Sequence, residues 1–287
     1  MIIMNYKDIE HSIITTYRKE IWSKFAKCIR QYNMISDGDS IMVCISGGKD
    51  SFLMAKLFQE LKKHGKQNFT VRYVTMNPGY NKTNLQRIKD NAELMNIPLE
   101  IFESDIFAVT EKERANNNGN PCYLCARMRR GYLYAKAQEL GCNKIALAHH
   151  YNDVLETSLL SMFYGSEIKT MVPKIHSENF KGIELIRPLY LIKEQDIINW
   201  KKKNNLEFIN CACPLIDNCV IEPPSMNSES KRRQMKFLIS ELKKTNPNVE
   251  EHLFKALGNI NMSCILGYRD IKGNKVDFND FYDDLER

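Results

Sequence analysis

Apolar residues in the first forty positions recur at spacings of one to four where Ile13, Ile14, Tyr17, Ile21, Phe25 and Cys28 lie. That is the spacing of one helix face, so residues 1–39 are read as an N-terminal helical lead-in. The pattern then changes to short apolar runs separated by longer amphipathic stretches. Strands are predicted at 41–46, 70–76 and 99–102, with helices starting at Ser51 and Thr83 between them. A second set follows: a helix over 125–140, a strand over 144–148, a helix over 154–164 and a strand over 183–186. Strand and helix in alternation predict an α/β fold, a doubly wound parallel sheet covered on both faces. Helices over 194–203, 228–244 and 248–257 make the last third mostly helical. Proline-bearing loops interrupt the pattern at 116–122 and 210–224. The expected division is therefore the lead-in, an α/β domain over 40–224, and a helical extension and tail over 225–287.

Composition narrows the class. The chain has 287 residues, 43% hydrophobic and 26% charged, enough to build a core without staples. Its longest apolar runs, 41–45 and 145–148, fall far short of the roughly 20 residues that span a bilayer. Its first residues show neither a sustained apolar stretch nor a small-residue cleavage site. A cytoplasmic protein with no membrane partner is expected. The net charge of +6 is unevenly spread. From Arg114 to Gln138 there is no Asp or Glu, while Arg114, Arg127, Arg129, Arg130 and Lys136 are basic. Further basic clusters lie at 201–203 and 231–233, and the acidic tail leaves the rest of the chain more basic than the total suggests. Such a surface suits a polyanion, although the lysines at 201–203 fit a solvated helix face equally well.

Nine cysteines, an odd count in a chain of this length, point to reduced thiols rather than a disulfide framework. Cys28, Cys44, Cys142 and Cys264 stand among apolar neighbours and are read as small core residues. Cys122, Cys125, Cys211, Cys213 and Cys219 stand in polar, proline-containing stretches and need another account. Alone, Cys122-x-x-Cys125 is a redox pair, half a zinc site, part of an iron–sulfur site or an accident. Structural zinc takes four ligands in a closed tetrahedron, whereas a cluster on three cysteines leaves one iron open.

Ser46-Gly47-Gly48-Lys49-Asp50-Ser51 follows an apolar strand and leads into the apolar start of a helix. A strand running through a glycine pair into a helix N-terminus gathers free backbone N–H groups and the positive dipole end, where phosphates bind. Lys49 adds a point charge, and Ser46 and Ser51 supply hydroxyls. The spacing is not that of a Walker A loop. A plain strand-to-helix turn capped by Asp50 or Ser51 is the bland alternative. A second signal, His149-His150-Tyr151-Asn152-Asp153, lies between strand and helix, at the end of the sheet where ligands collect. Asp153 there is either a Mg²⁺ ligand or a helix cap.

Ser-Gly-Gly-Lys-Asp-Ser after a hydrophobic strand resembles the PP-loop signature of ATP pyrophosphatases. The resemblance implies that Ser46, Gly47, Gly48, Lys49, Asp50 and Ser51 hold the pyrophosphate part of ATP, with Met76 against the adenine. It implies adenylation rather than γ-phosphoryl transfer. The family pattern His-His-x-Asp-Asp has Asn152 in place of its first Asp, while Asp153 stays in register. Cys-Tyr-Leu-Cys-Ala-Arg-Met-Arg-Arg-Gly-Tyr-Leu-Tyr, then Ile-Ala-Leu-Ala-His-His, Ser-Met-Phe-Tyr-Gly and Ile-Arg-Pro-Leu, is similar to the tRNA 2-thiocytidine synthetase family over about 39–258. That likeness implies a 4Fe-4S cluster on Cys122, Cys125 and one later cysteine, with Cys213, before Pro214, preferred to Cys211. Cys219 has no counterpart. Mg²⁺ would be helped by Asp50 or Asp153. The C2 oxygen of a tRNA cytidine, at position 32, would attack the α-phosphate and be replaced by sulfur, releasing pyrophosphate and AMP. Arg127 and Arg130, on one helix side, are read as RNA phosphate contacts, and Arg129, pointing elsewhere, as a residue near the activated base. The implied partners are tRNA and a sulfur donor, either a cysteine desulfurase or sulfide; a homodimer is compatible with the chain. The alternatives are a thiouridine synthetase of the same superfamily and a non-catalytic tRNA-binding protein with structural zinc.

Overall fold

The apolar runs of the central region become the strands of one six-stranded sheet. In chain order these are β1 (Ser40–Cys44), β2 (Thr70–Asn77), β3 (Leu99–Glu103), β4 (Lys144–Ala146), β5 (Lys174–His176) and β6 (Glu184–Ile186). They lie side by side in the order β3-β2-β1-β4-β6-β5. All neighbours are parallel except β5, which runs antiparallel to β6 at the edge. Successive strand residues face opposite sides, and Ile41, Met42 and Val43 of β1 are all 0% exposed, so both faces of the centre are covered. The computed structural model describes residues 5–115, 121–209, 225–226, 228 and 230–282.

The covering helices are α1 (Tyr6–Ile14), α2 (Ser23–Gln31), α3 (Lys49–His64), α4 (Lys82–Leu94), α5 (Ile106–Ala115), α6 (Pro121–Glu139), α7 (Tyr151–Gly165) and α8 (Glu194–Lys203). In the lead-in, a π-helical turn at Arg18–Trp22 joins α1 to α2, and Ile13, Ile21, Phe25 and Cys28 are buried as their spacing predicts. The lead-in is also tied down by charge. Lys56 of α3, 0% exposed, pairs with Glu10 of α1 and donates to Gln59 Oε1 at 2.6 Å and Met95 O at 2.8 Å. Burial pulls its pKa below the ordinary lysine value despite the Glu10 partner. A second buried pair, Lys144 with Glu184 at 2.6 Å, locks β4 to β6 at the register where these two residues face each other.

The chain divides into two compact units, 1–157 with 171–223, and 158–170 with 224–287. The second holds α9 (Lys231–Thr245), α10 (Val249–Ala256) and a small hairpin of β7 (Gly267–Arg269) and β8 (Lys275–Asp277). Within it Tyr164 donates its hydroxyl to Gln234 Oε1 at 2.6 Å.

Two readings are corrected, and elements the sequence did not show are added. The tail holds a hairpin beside its helices: Asp270 accepts the N–H groups of Lys272 and Asn274, and the resulting turn joins two strands that are largely exposed and so carry no apolar run. Edge strand β5, also mostly exposed, escaped notice for the same reason, and α5 is an additional helix. Cys264 is not a core residue. It is exposed in a one-turn 3₁₀ helix, Met262–Cys264, beside Met262 and Leu266, which are themselves 46% and 87% exposed. Finally, the Cys122–Cys125 pair does not precede the basic helix but lies in it, because α6 begins at Pro121, a residue suited to the first helical position.

Candidate active site

The chain leaves β1 and turns through Ser46, Gly47 and Gly48 into α3. Gly47 has a φ of +91°, which residues bearing a Cβ rarely adopt. A Cβ there would also lie 2.4 Å from Ile209 Cδ1 and 2.9 Å from Ile88 Cγ1. Above Gly48 the space is open, with only Ser46 Oγ at 3.9 Å from such an atom. The buried Ser51 hydroxyl accepts the Ser46 N–H at 3.2 Å and donates to Gly48 O at 2.9 Å. These bonds curl the loop over the first turn of α3, whose leading N–H groups lack intrahelical partners and carry the positive dipole end.

Two more helices begin at the same place. At the start of α7 the His150 N–H donates to Asp153 Oδ2 at 2.9 Å, and the Asp153 N–H donates to His150 Nδ1 at 3.3 Å. Asp153 therefore caps α7. Asn152 Oδ1 accepts the N–H of Glu194, the first residue of α8, at 3.0 Å. At the position where the PP-loop resemblance leads one to expect Asp, an amide oxygen is enough for this cap and adds no charge beside Glu194. Lys49 Nζ then sits between Asp50 Oδ2 at 3.1 Å and Glu194 Oε1 at 3.3 Å. Burial works against the Lys49 ammonium, but Asp50 and Glu194 outweigh it and hold its pKa above the ordinary lysine value. Asp50 Oδ1 is buried and has no hydrogen-bond partner among the described residues.

The neighbouring strand leads to the first cysteine pair. Met76, 8% exposed near the end of β2, packs with Ile106 and Phe107, and Cys125, Met128 and Tyr132 of α6 pack against that group. Arg129 lies over the Phe107 ring at 5.5 Å with its Nε buried and without a partner among the described residues, whereas Arg127 and Arg130 are exposed. The arginines thus divide as their helical spacing requires. The later cysteines are approached by a different route. Phe208 stacks on Phe52 of α3 at 5.3 Å, Asn91 donates to Glu207 O at 2.9 Å, and Ile209 lies against Gly47. Cys211, Cys213 and Cys219 lie outside the described residues, as does most of the 210–224 loop, and only the backbone of Cys122 is described. Among the described residues no three His, Cys, Asp or Glu side chains gather as for a metal ion.

Glu194, Asn152 and Ile209 were not singled out as site residues from the sequence. Glu194 is 145 residues from Lys49, and only the helix start at 194 hinted at a dipole end there.

A family model described as a PP-loop domain matches residues 18–213. Similar proteins include the tRNA-cytidine(32) 2-sulfurtransferase of Geotalea uraniireducens, 32% identical over 250 residues that make up 87% of this chain and 94% of that protein. The tRNA-cytidine(32) 2-sulfurtransferase of Coxiella burnetii is 35% identical over 245 residues, 84% of this chain and 90% of that one. The chain belongs to the tRNA-cytidine(32) 2-sulfurtransferase family. The PP-loop match takes in residues 46–51, Met76, Cys122, Cys125, Arg129, Asp153, Cys211 and Cys213, while Cys219 and the α9–α10 region of this sulfurtransferase family member fall beyond it. Among solved structures, the U34-tRNA thiolase NcsA from Methanococcus maripaludis, with its 4Fe-4S cluster, matches with a TM-score of 0.63 at 20% identity, over 85% of this chain and 80% of that one. That likeness establishes the PP-loop α/β fold. No helix among the described residues is long and apolar enough to cross a membrane.

Proposed function

We propose that the protein is an ATP-dependent tRNA sulfurtransferase, which adenylates the C2 oxygen of cytidine 32 and replaces it with sulfur, releasing pyrophosphate and AMP. One observation carries the reading. Ile209, two residues before Cys211 in the sequence, packs on Gly47 of the phosphate loop, while Cys125 packs against the cluster of Ile106, Phe107 and Met76, the last near the end of the strand beside β1.

The residues divide the work by chemistry. The open face of Gly48, the first N–H groups of α3 and the Ser46 hydroxyl suit the pyrophosphate part of ATP, and Lys49 balances its charge. Mg²⁺ fits Asp50, whose Oδ1 has no donor among the described residues, better than Asp153, which is engaged in capping α7. Arg129, held against Phe107 with an Nε that has no partner among the described residues, would meet charge on the adenylated base. Met76 lines the strand end where the adenine is expected. Adenylation turns an unreactive carbonyl oxygen into a leaving group, and a loop cytidine is unstacked enough to enter such a site.

The cysteines fit a 4Fe-4S cluster by their donor set. Cys122 and Cys125 are three residues apart in α6, and Cys125 is half-buried against an apolar group. Cys213, or else Cys211, would be the third ligand. A cluster so held would supply an iron open to hydrosulfide, which would come from free sulfide or from a cysteine desulfurase whose persulfide is reduced by a thiol.

The deciding experiment incubates anaerobically purified protein with tRNA, Mg²⁺-ATP and sulfide, followed by nucleoside mass analysis. Thiocytidine at position 32 with AMP and pyrophosphate is expected; ADP and phosphate as products would refute the assignment.

A further inference from the structure

Arg187 stands directly after β6, at the carboxyl edge of the sheet where open α/β proteins take their ligands. Its backbone is fixed on both sides, the N–H donating to Pro173 O at 2.9 Å and the carbonyl accepting from the Tyr190 N–H at 3.1 Å. The guanidinium donates through Nη1 to Val172 O, and its Nε is buried with no partner among the described residues. No carboxylate among the described residues faces it. The charged and titratable groups near enough to act on it are the phenols of Tyr134, which is hydrogen-bonded to Ser177, and Tyr190, and a second guanidinium, that of Arg130. Burial, with a smaller push from Arg130, lowers the Arg187 pKa from its usual value, yet an arginine stays charged. Arg130 and Tyr134 lie one helical turn apart on α6, and Tyr134 is held by stacking on Phe180 at 5.2 Å. Two like-charged guanidiniums around one phenol, one of them desolvated and short of an acceptor, are complementary to a doubly coordinated oxyanion.

We propose that Arg187 and Arg130, with the Tyr134 hydroxyl beside them, form a phosphate subsite separate from the phosphate loop. In the order β1-β4-β6 it lies two strands away, about 10 Å at the usual strand spacing, so the pyrophosphate at residues 46–51 does not occupy it. A phosphodiester of the RNA backbone next to the target base is the phosphate assigned to it. This identity rests on the thiolation reading; the subsite itself does not.

The test uses full-length Arg187→Gln, Arg187→Lys and Arg130→Gln. Three quantities are read: tRNA affinity against salt, ATP affinity without tRNA, and the shift in melting temperature with inorganic phosphate at constant ionic strength. Each Gln variant should weaken tRNA binding about 10- to 100-fold, the range for a charged hydrogen bond. Each should also lower the log–log salt slope by about 0.7–0.9 and reduce the phosphate-induced shift, with ATP affinity unchanged. Arg187→Lys should keep the slope but bind more weakly, since a point charge replaces the planar fork. A loss confined to ATP affinity would uphold the subsite and reassign its phosphate to the nucleotide. If Arg187→Gln does not fold, the exposed Arg130 carries the test. Wild-type protein that ignores tRNA would overturn the functional reading, while the subsite would still be judged by the phosphate shift. Variants that melt like wild type with all three quantities unchanged would overturn the subsite.

Discussion

Gly47→Ala separates two requirements that meet at one position. The first is backbone conformation: with φ at +91°, a residue bearing a Cβ costs about 1–2 kcal/mol more than glycine. The second is space. The new methyl would lie 2.4 and 2.7 Å from two atoms of Ile209 and 2.9 Å from Ile88, far inside the ~3.5–4.0 Å of carbon contact. Overpacking of this kind costs about 1–3 kcal/mol. Together the substitution should destabilise the protein by about 2–5 kcal/mol, a large part of the ~5–15 kcal/mol typical of a folded protein. Ile209→Ala, at a site 7% exposed, should by itself cost about 2–5 kcal/mol. In that background, however, the methyl has room and Ile88 can shift into the space, leaving only the backbone part. Urea unfolding of the wild type, both single variants and the double variant should therefore give a coupling of about 1–3 kcal/mol, with the double variant more stable than the sum predicts. Additivity within about 0.5 kcal/mol would refute the packing of Ile209 on the loop. Ile209 stands just before the segment that carries Cys211 and Cys213, so on the cluster reading Gly47→Ala should lower bound iron as well as ATP affinity, whereas Ser46→Ala should lower ATP affinity alone.

Glu194→Gln removes one of the two carboxylates that raise the Lys49 pKa. A raised pKa stabilises the fold fully below the ordinary value of about 10.4 and ceases to do so as pH rises through the native value, so the alkaline loss of stability should move to lower pH. An unmoved alkaline limb would dismiss the pair. Burial pushes the thiols of Cys28 and Cys44 up to about 12, so at pH 8 roughly one in 10⁴ is ionised. Iodoacetamide on native protein, read by peptide mass, should label Cys264 and spare both, and their share of stability should fall as pH climbs from about 8.5 towards 12. Cys122→Ala and Cys125→Ala should each lose iron, sulfide and the visible chromophore while ATP affinity holds; of Cys211→Ala and Cys213→Ala only one, expected to be Cys213→Ala, should do the same. One zinc ion on four thiolates in anaerobic protein would reject the cluster. Arg127→Ala combined with Arg130→Ala should lower the salt slope for tRNA by about 1.4–1.8, and an unchanged slope would move the RNA site elsewhere.

What could be read from the sequence was local in origin. The apolar runs at β1, β2 and β3 are long enough for their hydrophobicity to declare them, and α8 falls on 194–203 as its periodicity predicts. The phosphate loop was legible because its chemistry sits in six contiguous residues, 46–51, between a strand and a helix. The strands β5, β7 and β8 are mostly exposed and carry no apolar run, unlike the equally short but buried β4 and β6, and Cys264 was misjudged because apolar neighbours in sequence need not be buried ones. The tertiary structure alone decided what surrounds the loop. Ile209 lies on Gly47 and Glu194 on Lys49 only because β4 lies beside β1, with the chain returning through α8 across the carboxyl edge. The setting of the Arg187 guanidinium, near Tyr134 and Arg130 of α6, likewise follows from strand order, which sets β6 beside β4. Strand order is settled by which buried surfaces fit together across the whole sheet, and no window of the sequence contains that information.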